Sequence, residues 1–600
     1  YRVLQPLIVT DPNGNRTAVA FDALGLVAGT CVMGKVGGPD EGDSLADFNA
    51  DLTDDEVRDF FVNPHDTTKI ETLLGSYTTR IIYDMNCFYI TKNPLNPVYA
   101  ATLSREIHVN DKDGQHSPIQ VSFTYSDGFG REIQKKIQAE SGDVEGVHAV
   151  HRWVGSGWTI FNNKGKPVRQ YELFFSKTHH FEFANTVGVS PILFYDPMER
   201  VVATLKPDNT YEKIVFDPWK QETWDANDNV MQINPKNDPD VGDFFRRLAD
   251  EEYLPTWYDT KKNDPNPKEG EAADKSKPHS KTPTVAYFDT LGRTFLTIAD
   301  NANDGKYSTH IELDIEGNQR TVIDAKGRTV MKYDYDMLGN PIFQDSMDAG
   351  KHWMLNNVVD KPIYVWDSRK HIIKTKHDEL QRPIEVSLQE DTATPKTIVK
   401  TVYGETQGNN LNHRGRIYQH YDGAGVVTNE KYDFKGNLLY SNRQLAVDYK
   451  NILDWSTHPT LEEPSYHTST TYDALNRSAD LTTPDNSVIH VIYNKANLLE
   501  QINVNLGGTE TATPFIKNIN YDAKGQRKLV EYGNGTWSTF EYDENTFRLI
   551  HLVTSRKKLN ASTENLQDIS YFYDPVGNIT HIQDDARDDI TCRKTVEAST

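Results

Sequence analysis

Apolar and polar residues alternate with period two in short runs, and one four-residue device closes run after run. In LDIEGNQRTVIDAKGRTVMKYDYDMLGNPIF (313–343), Asp314 is followed by Gly317, Asp324 by Gly327 and Asp336 by Gly339, each leading into a β-forming stretch. An Asp opening a type I turn accepts bonds from the amides ahead of it, and a Gly at the fourth place supplies the positive φ that returns the chain as a strand. Such a turn with a Gly bulge commonly closes a β-hairpin. The Asp-to-Asp steps of 10 and 12 residues leave room for one turn and one strand. The stretch predicts an antiparallel meander.

The device recurs along the whole chain: Asp11/Gly14, Asp22/Gly25, Asp111/Gly114, Asp127/Gly130, Asn162/Gly165, Asp289/Gly292, Asn412/Gly415, Asp422/Gly425, Asp433/Gly436, Asp522/Gly525 and Asp574/Gly577. An aromatic often precedes the Asp, as at Phe21, Phe288, Tyr335, Tyr432, Tyr521 and Tyr573. Relaxed copies keep the aromatic–Asp dyad and lose the Gly: Tyr195-Asp196, Phe216-Asp217, Trp366-Asp367, Tyr472-Asp473 and Tyr542-Asp543. Self-similarity on this scale decides architecture before anything else. The expected fold is all-β, a long antiparallel strip of hairpin repeats.

The pattern breaks in a few places. Thr53 with Glu56 three residues on, and Val57, Phe60 and Phe61 on one face, predict a helix over 53–61. VGDFFRRLADEEYL predicts a second over 241–254. KKNDPNPKEGEAADKSKPHSKTP (261–283) has almost no apolar residues and reads as a flexible polar loop. The chain thus divides into a β-rich part with helical insertions (1–260), the loop, a repeat region (284–586) and an irregular tail (587–600). Tyr1 is not an initiator Met, and LQPLIVTDPNGNRTAVAFD already reads as strand, turn, strand, so a fragment of a longer chain is expected.

Composition narrows the function classes. A net charge of −23 without a Lys/Arg-rich run argues against nucleic acid or anionic membrane as a partner. No apolar run reaches the length of a membrane-spanning helix, so no membrane insertion is expected. Three scattered cysteines, Cys31, Cys87 and Cys592, make no disulfide framework.

Motifs for chemistry fail on inspection. GTCVMGKV (29–36) has the glycines and lysine of a phosphate loop, but Val36 and then Gly-Gly-Pro stand where a hydroxyl and a helix are needed. WDANDNV starts like a Ca²⁺ loop, yet Val230 and Lys236 occupy the required Gly and Glu places. His179 and His180 are adjacent, so on a strand they face opposite sides. No zinc spacing and no nucleophile elbow appear. The repeated Asp residues already have work in turns, so the chain is expected to be no enzyme and to hold no metal or cofactor.

Aromatic-Asp-x-x-Gly-[Arg/Asn] in tandem resembles the YD/RHS repeat family, as in FDTLGR (288–293), YDMLGN (335–340), YDFKGN (432–437), YDAKGQ (521–526) and YDPVGN (573–578). TDPNGNRTAVAFDALGLVAGT (10–30), DPDVGDFFRRLAD (238–250), TPTVAYFDTLGRTFLT (282–297) and HIELDIEGNQRTVIDAKGRTVMKYDYDMLGNPI (310–342) closely resemble the part of the B component of bacterial Tc insecticidal toxin complexes that follows its propeller. The resemblance implies a strip that spirals into half of a hollow cocoon, with a C component supplying the other half and a cytotoxic effector enclosed. It implies a secreted complex, and docking on an A-component pore through a propeller upstream of Tyr1. The self-cleaving aspartyl-protease core of the C component has no counterpart here. Rival expectations are a surface adhesion module, with exposed aromatic patches and an upstream anchor, and a glycan-active enzyme, with one carboxylate-lined cleft.

Overall fold

The structure is a computed structural model describing residues 3–38, 40–111, 116–558 and 562–586. Gly114, Cys592 and the 587–600 tail lie outside these residues. Consecutive strands pair antiparallel almost without exception, in a nine-stranded sheet followed by a 30-stranded one. The first begins at Ile8–Thr10 and ends on Phe174–Ser176; the second runs from Thr159–Phe161 to Ile579–Asp584.

The second sheet is a wall one layer thick. No residue between Ser276 and Thr397 is buried, although this span contains ten successive strands of the ladder. The total accessible surface is 34396 Å², about 1.6 times the roughly 21,000 Å² that size scaling gives a solid globule of this mass. Cores form where other segments cover either sheet. The largest joins Phe60, Ile82, Tyr99, Leu103, Phe123 and Trp153, under the helices Asp54–Val62 and Thr67–Leu74. The first of these has the expected capping box: Thr53 Oγ1 accepts from Glu56 N–H at 3.3 Å, and Glu56 Oε2 accepts from Thr53 N–H at 2.8 Å.

Several expectations are corrected. The 261–283 segment is folded: the helices Trp257–Lys262 and Pro267–Ser276 lie in and beside it, with Ala272 and Ala273 fully buried. Small side chains let the helix approach the wall closely, so a packed face exists without a hydrophobic stripe. Nor does this segment separate two units. Lys220 pairs with Tyr287 across it, making it an insertion at one edge of a continuous sheet; the sheets change near residue 156 instead. The helix expected over 241–254 shrinks to Gly242–Phe245, because Arg247 and Leu248 take short i−3 bonds and Ala249 is extended (ψ 149°). His179 and His180 lie outside any strand; both rings stand 4.9 Å from Phe61.

Candidate functional site: the turn edge and the seam

The Asp turns of the repeats are closed by their own carboxylates. Asp336 Oδ1 accepts from Leu338 N–H (2.8 Å) and Asn340 N–H (2.9 Å), Oδ2 accepts from the Asn340 amide (3.2 Å), and Gly339 N–H donates to the Asp336 carbonyl (3.2 Å). Asp289 repeats this with Leu291 and Arg293, whose Nε donates to Oδ2 at 2.7 Å. These bonds stabilise the ionised form, so the Asp289, Asp324 and Asp336 carboxyls sit below the usual carboxylate range. The fourth-place glycines Gly25, Gly292, Gly317, Gly327, Gly339, Gly436, Gly525 and Gly577 all have positive φ, between 74° and 116°. Relaxed turns hold the same region with a side chain present, as at Glu199 (67°) and Asn476 (63°).

The aromatic of the dyad stitches one hairpin to the next. Tyr335 Oη donates to the carbonyl of Gln319, Tyr432 to Ile417, Tyr521 to Leu499 and Tyr573 to Leu549, at 2.6–2.9 Å. Each acceptor is the first residue of a strand leaving an earlier turn on the same edge. Arginines ending one turn lie over the aromatic of the next: Arg200 over Phe216 at 3.8 Å, Arg382 over Tyr403 at 3.9 Å. The sequence displays the dyads; what the phenol does appears only once neighbouring strands are in register.

Because the strip is antiparallel, alternate turns share an edge. The turns at Asp289, Asp314, Asp336, Asp433, Asp522 and Asp574 lie on one edge, and Asp324–Gly327 lies on the other. Asp22–Gly25 closes a hairpin of the first sheet.

The later turns of the first edge dock on the beginning of the chain. Arg414 N–H donates to Asn13 Oδ1 (2.9 Å) and Asn13 Nδ2 to the Arg414 carbonyl (3.0 Å). Phe434 packs beside Gly42 and 5.2 Å from the His108 ring. Ala474 N–H donates to the Glu106 carbonyl (2.9 Å), and Arg477 pairs with Glu106 (2.7 Å). Lys495 N–H donates to Glu140, Lys524 pairs with Glu172, and Asn227 Nδ2 donates to Asp574 Oδ2 (3.0 Å). The partners are 401, 371, 355, 352 and 347 residues apart, in order along the chain. So regular a series means that the strip makes one circuit and closes on its own start along a seam.

Behind Phe434 the seam rests on a buried ionic knot. Asp43 accepts from His108 Nδ1 and Thr78 Oγ1 (both 2.6 Å) and Val109 N–H (2.8 Å), with Arg105 Nε at 3.5 Å. Burial pushes the Asp43 carboxyl up, but the His108, Thr78 and Val109 bonds outweigh it and leave it below its ordinary value. Burial and Asp43 together push the neighbouring Cys31 thiol up to about 12, an inert thiol. Among the described residues, no group of three His, Cys, Asp or Glu side chains could hold a metal ion.

No protein-family model matches the chain. Toxin subunit YenC2 of Yersinia entomophaga is 29% identical over 347 residues, covering 52% of this chain and 36% of that protein. Toxin subunit YenC1 of the same organism is 25% identical over 281 residues, covering 45% of this chain and 28% of that one. The chain thus spans about a third of the length of these relatives. Among solved structures, TcdB2-TccC3 superposes with a TM-score of 0.79 at 24% identity, covering 98% of this chain and 27% of that one. The Photorhabdus luminescens Tc holotoxin pore gives 0.78 at 21% identity, covering 98% and 29%. The sequence relationship is to toxin subunits, and the fold is that of the Tc toxin repeat shell.

Proposed function

We propose that this chain is a wall segment of a Tc-type toxin complex, on the B-component side of a cocoon that encloses a cytotoxic effector before delivery. The observation that carries the reading is the seam: a single-layer strip that closes on its own start surrounds space instead of filling it. The toxin-subunit relatives and the shell fold support the same assignment. The wall suits an unfolded cargo, because its faces are half-exposed, mixed in polarity and acidic overall. The turn carboxylates bond to their own backbone, which supports a structural rather than an enzymatic role. The ladder ends on Ile579–Asp584, paired with Thr563–Tyr573 on one side. Its other side would continue into a C-type partner by strand addition. Delivery through an A-type pore, and secretion as part of the complex, complete the proposal.

Solution scattering tests it. A solid globule of 600 residues has a radius of gyration of about 25 Å. The proposal expects a clearly larger value and a pair-distance distribution depleted at short distances. A compact, filled particle would overturn it.

A further inference from the structure

The seam uses only part of the first turn edge. Its turns at 433–436, 473–476 and 522–525 bear on the start of the chain, and there Phe434 is 9% and Ala474 8% exposed. The same edge runs back through the turns at 378–381, 357–360, 336–339, 314–317, 289–292, 217–219 and 196–199, which touch no earlier winding among the described residues. Their tips are apolar and bare: Ile315 is 93%, Met337 96% and Val358 99% exposed, and Leu291, Leu380 and Met198 also stand out. The opposite edge of the same strands reads differently. Its turns are Asn-Ala-Asn-Asp-Gly (301–305), Asp-Ala-Lys-Gly (324–327), Ser-Arg-Lys (368–370) and Asp-Thr-Ala-Thr-Pro (391–395), with Met347 the apolar exception.

Chance surface hydrophobes would not favour one edge, and a row of them marks a contact surface. Of the cations on the docked tips, Arg477 pairs with Glu106 and Lys524 with Glu172, while Arg414 and Lys495 donate to Asn13 and Glu140 through their backbone N–H groups. The bare tips, Pro197-Met198, Thr290-Leu291, Ile315-Glu316, Met337-Leu338, Val358-Val359 and Glu379-Leu380, carry no cation. They fit an apolar occupant, not a second acidic rim.

We infer that the edge from Met198 to Leu380 is a docking surface for polypeptide lying N-terminal to Tyr1, which presents an apolar rim to these turns. Two observations choose this occupant. The bare edge continues the seam without a break, so what covers it stands to it as the start of the chain stands to the later turns. The seam register extrapolates the same way: separations rise towards the N-terminus from 347 to 401 residues, so the partner of the 378–381 turn falls just before Tyr1. The assignment rests on the shell reading.

Hydroxyl-radical footprinting tests it, with Met198 and Met337 as reporters and the half-exposed wall residue Met354 as internal reference. In the 600-residue chain both reporters should oxidise freely. In a longer polypeptide that carries residues N-terminal to Tyr1, their oxidation should fall about tenfold, with Met354 unchanged. Equal oxidation of Met337 in both would overturn the inference. So would protection that grows with concentration in the 600-residue chain alone, which would assign the edge to a second copy. A Met337→Glu/Val358→Glu variant should melt like wild type as the 600-residue chain and lose the protection in the longer one. Hollow scattering with unprotected Met337 would sink this assignment and leave the shell standing.

Discussion

Truncating Phe434 to Ala isolates the strength of the seam, because Met337 holds the same place in its own turn and provides a matched control. Phe434 follows Asp433 as Met337 follows Asp336, yet one is 9% and the other 96% exposed. Truncation at Phe434 removes roughly 120 Å² of buried apolar area, about 3 kcal/mol. The edge-to-face contact with His108 adds about 0.5–1 kcal/mol. Met337→Ala should change stability by less than about 0.5 kcal/mol. A strip held by local contacts need not melt as one unit, so amide exchange is the suitable assay. The Asp43 amide, which donates to the Val32 carbonyl at 2.9 Å, and the Val109 amide, which donates to Asp43 at 2.8 Å, lie directly behind the docked ring. If they exchange through seam opening, Phe434→Ala should accelerate them on the order of 100-fold. Unchanged exchange, or equal acceleration in Met337→Ala, would refute the idea that tip burial holds the winding closed.

Three further outcomes follow from the same geometry. Gly327→Val and Gly339→Val force a β-branched residue to φ of 74° and 82° and should each cost about 1–2 kcal/mol locally, seen as faster exchange of the adjoining hairpin. Deleting 263–281 should cause aggregation or proteolysis, because it uncovers Trp257 and removes the Lys275 bond to the Thr580 carbonyl; soluble, wild-type-like protein would show that the segment is dispensable. Acid should act in two stages. Burial drops His179 to about 3, so folding favours its neutral form and stability falls as pH drops below about 6.5, by about 2 kcal/mol at pH 5. The turn aspartates, with depressed folded values, keep their contribution above about pH 4 and lose it only below. His179→Gln retains a donor for the Phe61 carbonyl and should flatten the melting-temperature difference between pH 7.5 and pH 5; an unchanged difference would refute the assignment.

The sequence announces this fold because its information is local. An Asp, two residues and a Gly fix a turn by themselves, so strand after strand can be read from spacing alone. The 53–61 helix is legible for the same reason, with the Thr53 cap and the Val57/Phe60 pair all within two turns. The seam is not legible. Phe434 and Met337 occupy equivalent repeat positions, and only the number of residues per circuit decides which one meets a neighbour. The 261–283 segment deceives because its buried side is Ala272, Ala273 and Ser276, residues chosen for close approach. The short helix at Gly242–Phe245 shows the reverse error, since apolar periodicity continues past a backbone that has already turned.

The two kinds of joint in this wall differ in direction and in strength. Around the circumference, strand is bound to strand by main-chain ladders; along the axis, one circuit meets the next through turn tips such as Arg414, Phe434, Ala474 and Lys495 and through Lys275 on the Thr580 carbonyl. An outward load would therefore act on the ladders as hoop tension, shared by every hydrogen bond in the ring. A pull on the two ends loads the tips in sequence, as a zip does, and parts the coil without breaking a strand pair. Such a wall resists hoop load and yields to stretching.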